Sequence, residues 1–377
     1  MIAGPLAASL LGCAGGLPGL SRPAVYTAEA PSLTESYCAW FGSSRGDVLY
    51  FGESAFWSAF RAADGRPTAD LDRAGPARIG RFDLAREAFL PALDVTRKGD
   101  ASGVWDVLAH PNGRVYFTTY FGSSGYVDLE TNAQRRFAEA GLGLNELALG
   151  PGGSILASRY GVSRKRARGG SIVVLDPDGR VLAEYPLPAP EGMIAAPKSI
   201  AYDPLRQRIW VTTDLLRVDG APSRRARHDA YVLDANGVVL EQIDDREIQF
   251  VAFGEDGTGY RAEVADDKLW LRIVPADPNR AHVERLRIPL EHAFAAGSDF
   301  VQDIQIAPDG RAVITRWSGW IHVVDATGAV RSLRLPSVQA GGLYYTAVLR
   351  KSRLCASYCG AVQVVCSDLA PPLWGRR

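Results

Sequence analysis

Polar and apolar residues alternate along Gln302-Asp303-Ile304-Gln305-Ile306, the period-two signature of a strand with two unlike faces. Pro308-Asp309-Gly310 follows. Proline presets one backbone angle and glycine accepts the positive φ of a tight turn. Arg311–Thr315 then returns as a β-rich strand. This strand–turn–strand unit recurs. Asp106, Glu146 and Phe250 each stand seven residues before a glycine (Gly113, Gly153, Gly257), as Asp303 stands before Gly310. Ser199 opens a copy without the glycine, and weaker copies open near Ala39 and Tyr345. Positions 39, 106, 146, 199, 250, 303 and 345 are therefore equivalent, with successive separations of 67, 40, 53, 51, 53 and 42. A hairpin that cannot bury both faces alone, repeated at such spacing, predicts an array stacked on itself.

A third strand follows most copies and ends in a turn acid: Asp83, Asp128, Asp176, Asp234 and Asp325. Aspartate in such a place caps its own turn rather than serving a metal. Fourth strands are readable at Val181–Leu187 and Val238–Ile243. The expectation is an all-β chain, a seven-bladed β-propeller of four-stranded antiparallel blades. Ala24–Ala30 is β-like, and it either closes the ring as a strand of the last blade or is a disordered leader. The inner strand, the Pro-Asp-Gly turn and the outer strand ending in Val-x-Asp-x-x-Gly resemble the broad bacterial superfamily of six- and seven-bladed propellers. It includes the SMP-30/gluconolactonase-like, YncE-like and virginiamycin B lyase-like groups. The resemblance spans Tyr37 to Leu369 and specifies fold rather than activity.

Length and composition refine this picture. The 377 residues are 47% hydrophobic and 22% charged, enough for a large core, with a formal net charge of 0. Balanced charge gives no whole-molecule attraction to nucleic acid or an anionic membrane. Ile2–Leu11 is apolar and too short to span a bilayer. It runs into Leu10-Leu11-Gly12-Cys13, which resembles a bacterial lipobox, although no Lys or Arg precedes it. That resemblance implies lipidation of Cys13, a membrane anchor and export to the periplasm or outer membrane. The alternative is a disordered apolar tail. Residues 1–23 then form a leader and tether, 24–370 one propeller and 371–377 a short tail; a monomer is expected.

Four further cysteines suit an exported chain with disulfides. The strands carrying Cys355 and Cys366 would form a hairpin around Gly360-Ala361, which sets those two opposite each other. Cys38 opens the first blade and Cys359 ends the second strand of the last, its neighbour in a ring. The expected pairs are Cys355–Cys366 and Cys38–Cys359, the alternative being buried free thiols.

In a ring, residues opening the inner strands meet at the channel mouth. The expected ligand-binding set is Trp105, Asp106, Asn145, Glu146, Lys198, Gln249, Gln302, Asp303 and Tyr344, joined by Arg159 and Arg316 from second-strand ends. Asp106, Glu146 and Asp303 could hold a divalent cation such as Ca²⁺ or Zn²⁺. In the SMP-30 group a Glu, Asn and Asp set does so, which implies a metal-dependent lactonase or hydrolase. Here Ala39 stands where that group has Glu, and Asn145 is the only Asn at the position. The alternative is that these carboxylates pair with Lys198, Arg159 and Arg316. His-based chemistry fits poorly, because none of the five histidines falls at the mouth, unlike in the virginiamycin B lyase group.

Two basic runs, 163–168 and 223–228, lie between second and third strands on the inner-strand-start face. As solvated loop charge they need no partner. On neighbouring blades they would make a rim for an acidic ligand or protein. Aromatic interleaving is absent, against single-stranded nucleic acid. The long insertion 53–78 reads as a lid, a partner-contact loop or plain surface elaboration, and Leu290–Ala296 as a short helix. The leading reading is a non-catalytic binding lipoprotein. The hydrolase is the alternative, and an accessory subunit of an extracytoplasmic enzyme stands third.

Overall fold

A computed structural model describes residues 23–28, 38–54, 76–97, 103–119, 122–141, 143–160, 162–163, 166–167, 169–217, 228–244, 247–266, 268–276, 287–290, 299–325, 327–336, 343–359 and 362–369. The leader with Cys13, most of the insertion, nearly all of the second basic run and the expected short helix lie outside the described residues. Of the first basic run, a small hairpin of Val162–Ser163 with Arg166–Ala167 is described.

The chain is an all-β propeller. Five separate four-stranded antiparallel sheets have their strands in chain order from inside to outside. Their inner strands are Val107–Ala109, Leu144–Leu149, Met193–Asp203, Glu247–Phe253 and Val301–Ile306. An eight-stranded sheet completes the set. One half runs from Cys38–Arg45 to Ala88–Asp94, and the other from Leu343–Arg350 through Gln363–Asp368 to Ala24–Thr27. A single bridge, Cys38 to Cys359, joins the halves. Ala24–Thr27 pairs with Gln363–Cys366, so the N-terminal strand closes the ring from outside, as its β-like composition suggested.

The repeated turn explains the register. Every copy has a turn residue with positive φ: Gly46, Gly113, Gly153 (with Gly152 beside it), Gly257 and Gly310, with Gln207 and Lys351 where glycine is lost. The turn acids cap as expected. Asp176 accepts the amides of Asp178 and Arg180, and Asp325 those of Thr327 and Ala329.

The apolar core lies between sheets rather than within them. Tyr260, Leu271 and Ile273 pack on Ile304, Ile314 and Val324 of the next sheet. Val313, Ile321 and Val323 pack in turn on Ala347, Leu354 and Val365. Similar clusters follow the chain order around to Phe51, Phe82 and Cys366. Each sheet thus buries its second face on a neighbour, which a single copy of the repeat could not do.

Candidate functional site

The inner strands do not run straight. Five of them shift register near their starts, as at Leu144/Leu147, Ile248/Phe250, Val301/Asp303 and Tyr344/Ala347. A bulge leaves backbone groups without ladder partners and re-aims side chains. Second-strand hydroxyls meet those groups. Thr118 Oγ1 accepts the Asp106 amide and donates to the Asn145 carbonyl of the next sheet. Ser357 Oγ accepts the Thr346 amide at 3.1 Å and donates to the Trp40 carbonyl at 3.0 Å. Ser158 accepts the Glu146 amide, and Thr212 donates to the Gln249 carbonyl. The signal stands in the sequence as Phe-Thr-Thr, Ala-Ser-Arg, Val-Thr-Thr and Ala-Ser-Tyr at equivalent places, and only the fold gives it meaning.

Inside the ring lies a cavity of about 520 Å³. Asp106, Glu146 and Asp303 stand at its deep end with Gln305 and Thr346. Its wall carries Phe41, Leu147, Ile200, Tyr202, Phe250 and Phe253, and it reaches the turns at Gly150, Pro204 and Glu255. Leu149, 42% exposed, marks that end as the mouth. The cavity therefore extends toward the turn face, away from the inner-strand starts where the sequence located the site. By the starts, Trp40 packs 4.7 Å from both Trp105 and Tyr345, beside the Cys38–Cys359 disulfide. The second expected disulfide, Cys355–Cys366, is also formed.

The three carboxylates differ in their partners. Asp106 accepts the amides of Val107 at 2.8 Å and Leu147 at 2.7 Å, one on each oxygen, so it fastens the bulged strand of the next sheet. Burial still raises its pKa to about 6. Asp303 is held by Gln305 Nε2 on both oxygens, at 3.1 and 2.8 Å, and by Thr346. Burial, with repulsion from Asp106, raises it to about 7. Glu146 rises well above the carboxylate range, first by burial and then by Asp106 and Asp303; Lys198 opposes and Asp214 adds to the effect. Its side chain is half-buried because the cavity reaches it, yet it sits deep in the body of the protein.

The other expected residues lie elsewhere. Arg159 pairs with Glu184 of its own sheet at 2.9 Å and donates to the Ala140 carbonyl at 2.7 Å. Arg316 is fully buried, paired with Asp299 and 3.4 Å from His322 Nε2. Both are corrections: at these second-strand positions the side chain turns into its own blade, so neither lines the cavity. The ion pairs seen for them are with Glu184 and Asp299. Lys198 lies 5.1 Å over the Phe300 ring. Gln249 accepts the Val301 amide at 2.8 Å and Tyr344 donates to the Pro336 carbonyl at 2.6 Å, both structural tasks. Trp105 belongs to the aromatic cluster. Asn145 and Gln302 flank the carboxylates without lining the cavity.

A divalent cation does not fit this donor set. Among the described residues no three His, Cys, Asp or Glu side chains converge to hold a metal ion. Both Asp106 oxygens already serve backbone amides. His110 and His322 hold the fold together: His110 Nε2 contacts the Gly153 carbonyl at 3.0 Å, and His322 Nδ1 contacts Ser332 Oγ at 2.7 Å.

Comparison with known proteins bears on the fold alone. No family model matches the chain. No curated protein matches it in sequence. Among solved structures it is similar to virginiamycin B lyase from Staphylococcus aureus. A catalytically inactive His-to-Ala variant with quinupristin superposes with TM-score 0.58 at 11% identity, over 92% of this chain and 100% of that one. The selenomethionine form gives 0.57 at 10%, over 92% and 99%. The chain shares the propeller fold of these proteins.

Proposed function

We propose that the chain is an exported, lipid-anchored propeller that binds a small ligand in its channel without transforming it. One observation carries this reading: a cavity of about 520 Å³ runs from the turn face to convergent carboxylates along mostly apolar walls, within the roughly 300–1,000 Å³ typical of small-molecule sites. Counting the eight-stranded sheet as two blades, since one bridge joins its halves, gives seven blades. The lipobox-like Leu10–Cys13 and the two disulfides support an oxidising, extracytoplasmic address. The basic runs 163–168 and 223–228 are our proposed contact for an acidic ligand or protein. The lactonase alternative has weaker support, because Asp106 is committed to backbone amides and, among the described residues, no three metal-ligating side chains converge.

The test is a thermal-shift screen of small molecules of every charge class, run on the wild type and on Ala148→Trp, which places an indole in the cavity. The expected result is at least one compound that raises the wild-type Tm and not the variant's. A screen in which no compound of any class shifts the wild type overturns the reading. Cys13→Ser is expected to release the protein from the membrane fraction.

A further inference from the structure

The channel gathers more carboxyl groups than cations. Asp106, Glu146 and Asp303 share its deep end, Asp214 acts on Glu146 from nearby, and Lys198 opposes them. Asp106 and Asp303 have their oxygens engaged. The Glu146 carboxylate borders the cavity and is opposed by Lys198, with no hydrogen bond from any described residue. A carboxylate deep in a protein without donors is costly, and such a group is retained where a partner arrives from outside. Aromatic walls suit the same partner, because ring faces attract cations and ring bodies bury apolar carbon.

Resting on the channel-binding reading, we propose that the ligand is an organic cation: an amine on an apolar, ring-bearing body, with its ammonium against Glu146 and Asp303 and its body along Tyr202, Phe250 and Phe253. A primary ammonium offers donors to Glu146, which lacks them, and adds to those Asp303 already receives; a charge-assisted contact is the strong kind. Asp106 contributes field rather than a contact.

The carboxylates must be ionised to attract the cation. Burial holds Asp106 near 6, burial with repulsion from Asp106 holds Asp303 near 7, and burial with repulsion from both holds Glu146 well above the ordinary range. An incoming ammonium favours their ionised forms, so binding expels protons and tightens as pH rises.

Matched probes decide this: naphthylmethylamine, naphthylmethanol and naphthylacetate, titrated calorimetrically into the full chain. The amine is expected to bind on the order of tenfold more tightly than the alcohol, the worth of one charge-assisted contact, with the acetate weakest. Glu146→Gln, which loses no hydrogen bond, should remove that advantage while the protein stays folded, and Asp303→Asn should weaken it independently. Amine binding should release protons, seen as a dependence of the heat on buffer ionisation enthalpy. Equal binding of amine and alcohol, tightest binding of the acetate, or unchanged amine binding in Glu146→Gln overturns the inference and leaves channel binding standing. Displacement of the amine by Ca²⁺ or Zn²⁺ at stoichiometric concentration overturns it in favour of a metal site. If the amine does not bind, the inference falls. If in addition no compound of any class depends on the open channel, the binding reading falls with it.

Discussion

Two rings of polar residues circle this protein, and they meet opposite fates. Residues opening the inner strands include Asp106, Glu146 and Asp303; residues ending the second strands include Glu53, Arg159, Glu263 and Arg316. The second ring is neutralised blade by blade. Glu53 meets Arg78 at 2.9 Å, Arg159 meets Glu184 at 2.9 Å, Glu263 meets Arg272 at 2.8 Å, and Arg316 meets Asp299. The first ring faces a shared space, where carboxyl groups gather and Lys198 opposes them at Glu146. Charges that find partners inside one blade hold that blade together. Charges that several blades send into a common cavity repel one another, and that repulsion is available to a ligand.

Breaking the paired ring should have the largest effect. Arg316→Ala leaves Asp299, 3% exposed, as a buried carboxylate without its cation, and should cost about 3–5 kcal/mol. Denaturant unfolding checks it; a loss well under 1 kcal/mol would mean that the second ring contributes little. The rings touch at one covalent point, where Cys38 of the first joins Cys359 of the second across a separation of 321 residues. Replacing both by alanine should cost about 2–4 kcal/mol. Removing Cys355–Cys366, with a separation of 11 residues, should cost less on the chain-entropy account. Equal losses would show that closing the circle is not what the longer bond contributes.

The smallest effect is expected in the channel ring, and with opposite sign. Asp303 has its pKa raised to about 7 in the folded protein, so the folded state holds a proton that the unfolded chain releases near its ordinary value. The stability this group contributes is present below about pH 4 and is lost as pH rises toward 7. Glu146 acts in the same direction. Glu146→Gln and Asp303→Asn should therefore leave stability at pH 7.5 unchanged or raised, and flatten its fall between pH 4 and 7, read from Tm across pH. A destabilisation as large as that of Arg316→Ala would erase the distinction between the rings.

Much of the architecture was legible from local chemistry. The hairpin openings fell within three residues of the inner-strand starts except at Ser199, six residues after Met193, because period-two alternation and a positive-φ turn residue are local requirements. The caps by Asp176 and Asp325, the closing strand at Ala24–Thr27 and both disulfides follow from strand pairing, which sequence order constrains. The site was half legible. Asp106, Glu146 and Asp303 do line one cavity, but Arg159 and Arg316 turn away from it. Direction at a strand end depends on the bulge beside it and on which counterion the neighbouring strand supplies. Gln305, Thr346 and Tyr202 escaped notice because the site was assigned to the strand openings rather than continued along the inner faces.

The order of residues determined the repeat, its turns and the positions that equivalence brings together, since these depend on neighbours a few bonds away. The assembled ring decided which end of the channel is open, which carboxylates lack donors and which arginines are spent. Those outcomes depend on distances between strands up to hundreds of residues apart, and on how much water each charge keeps once its neighbours have closed around it.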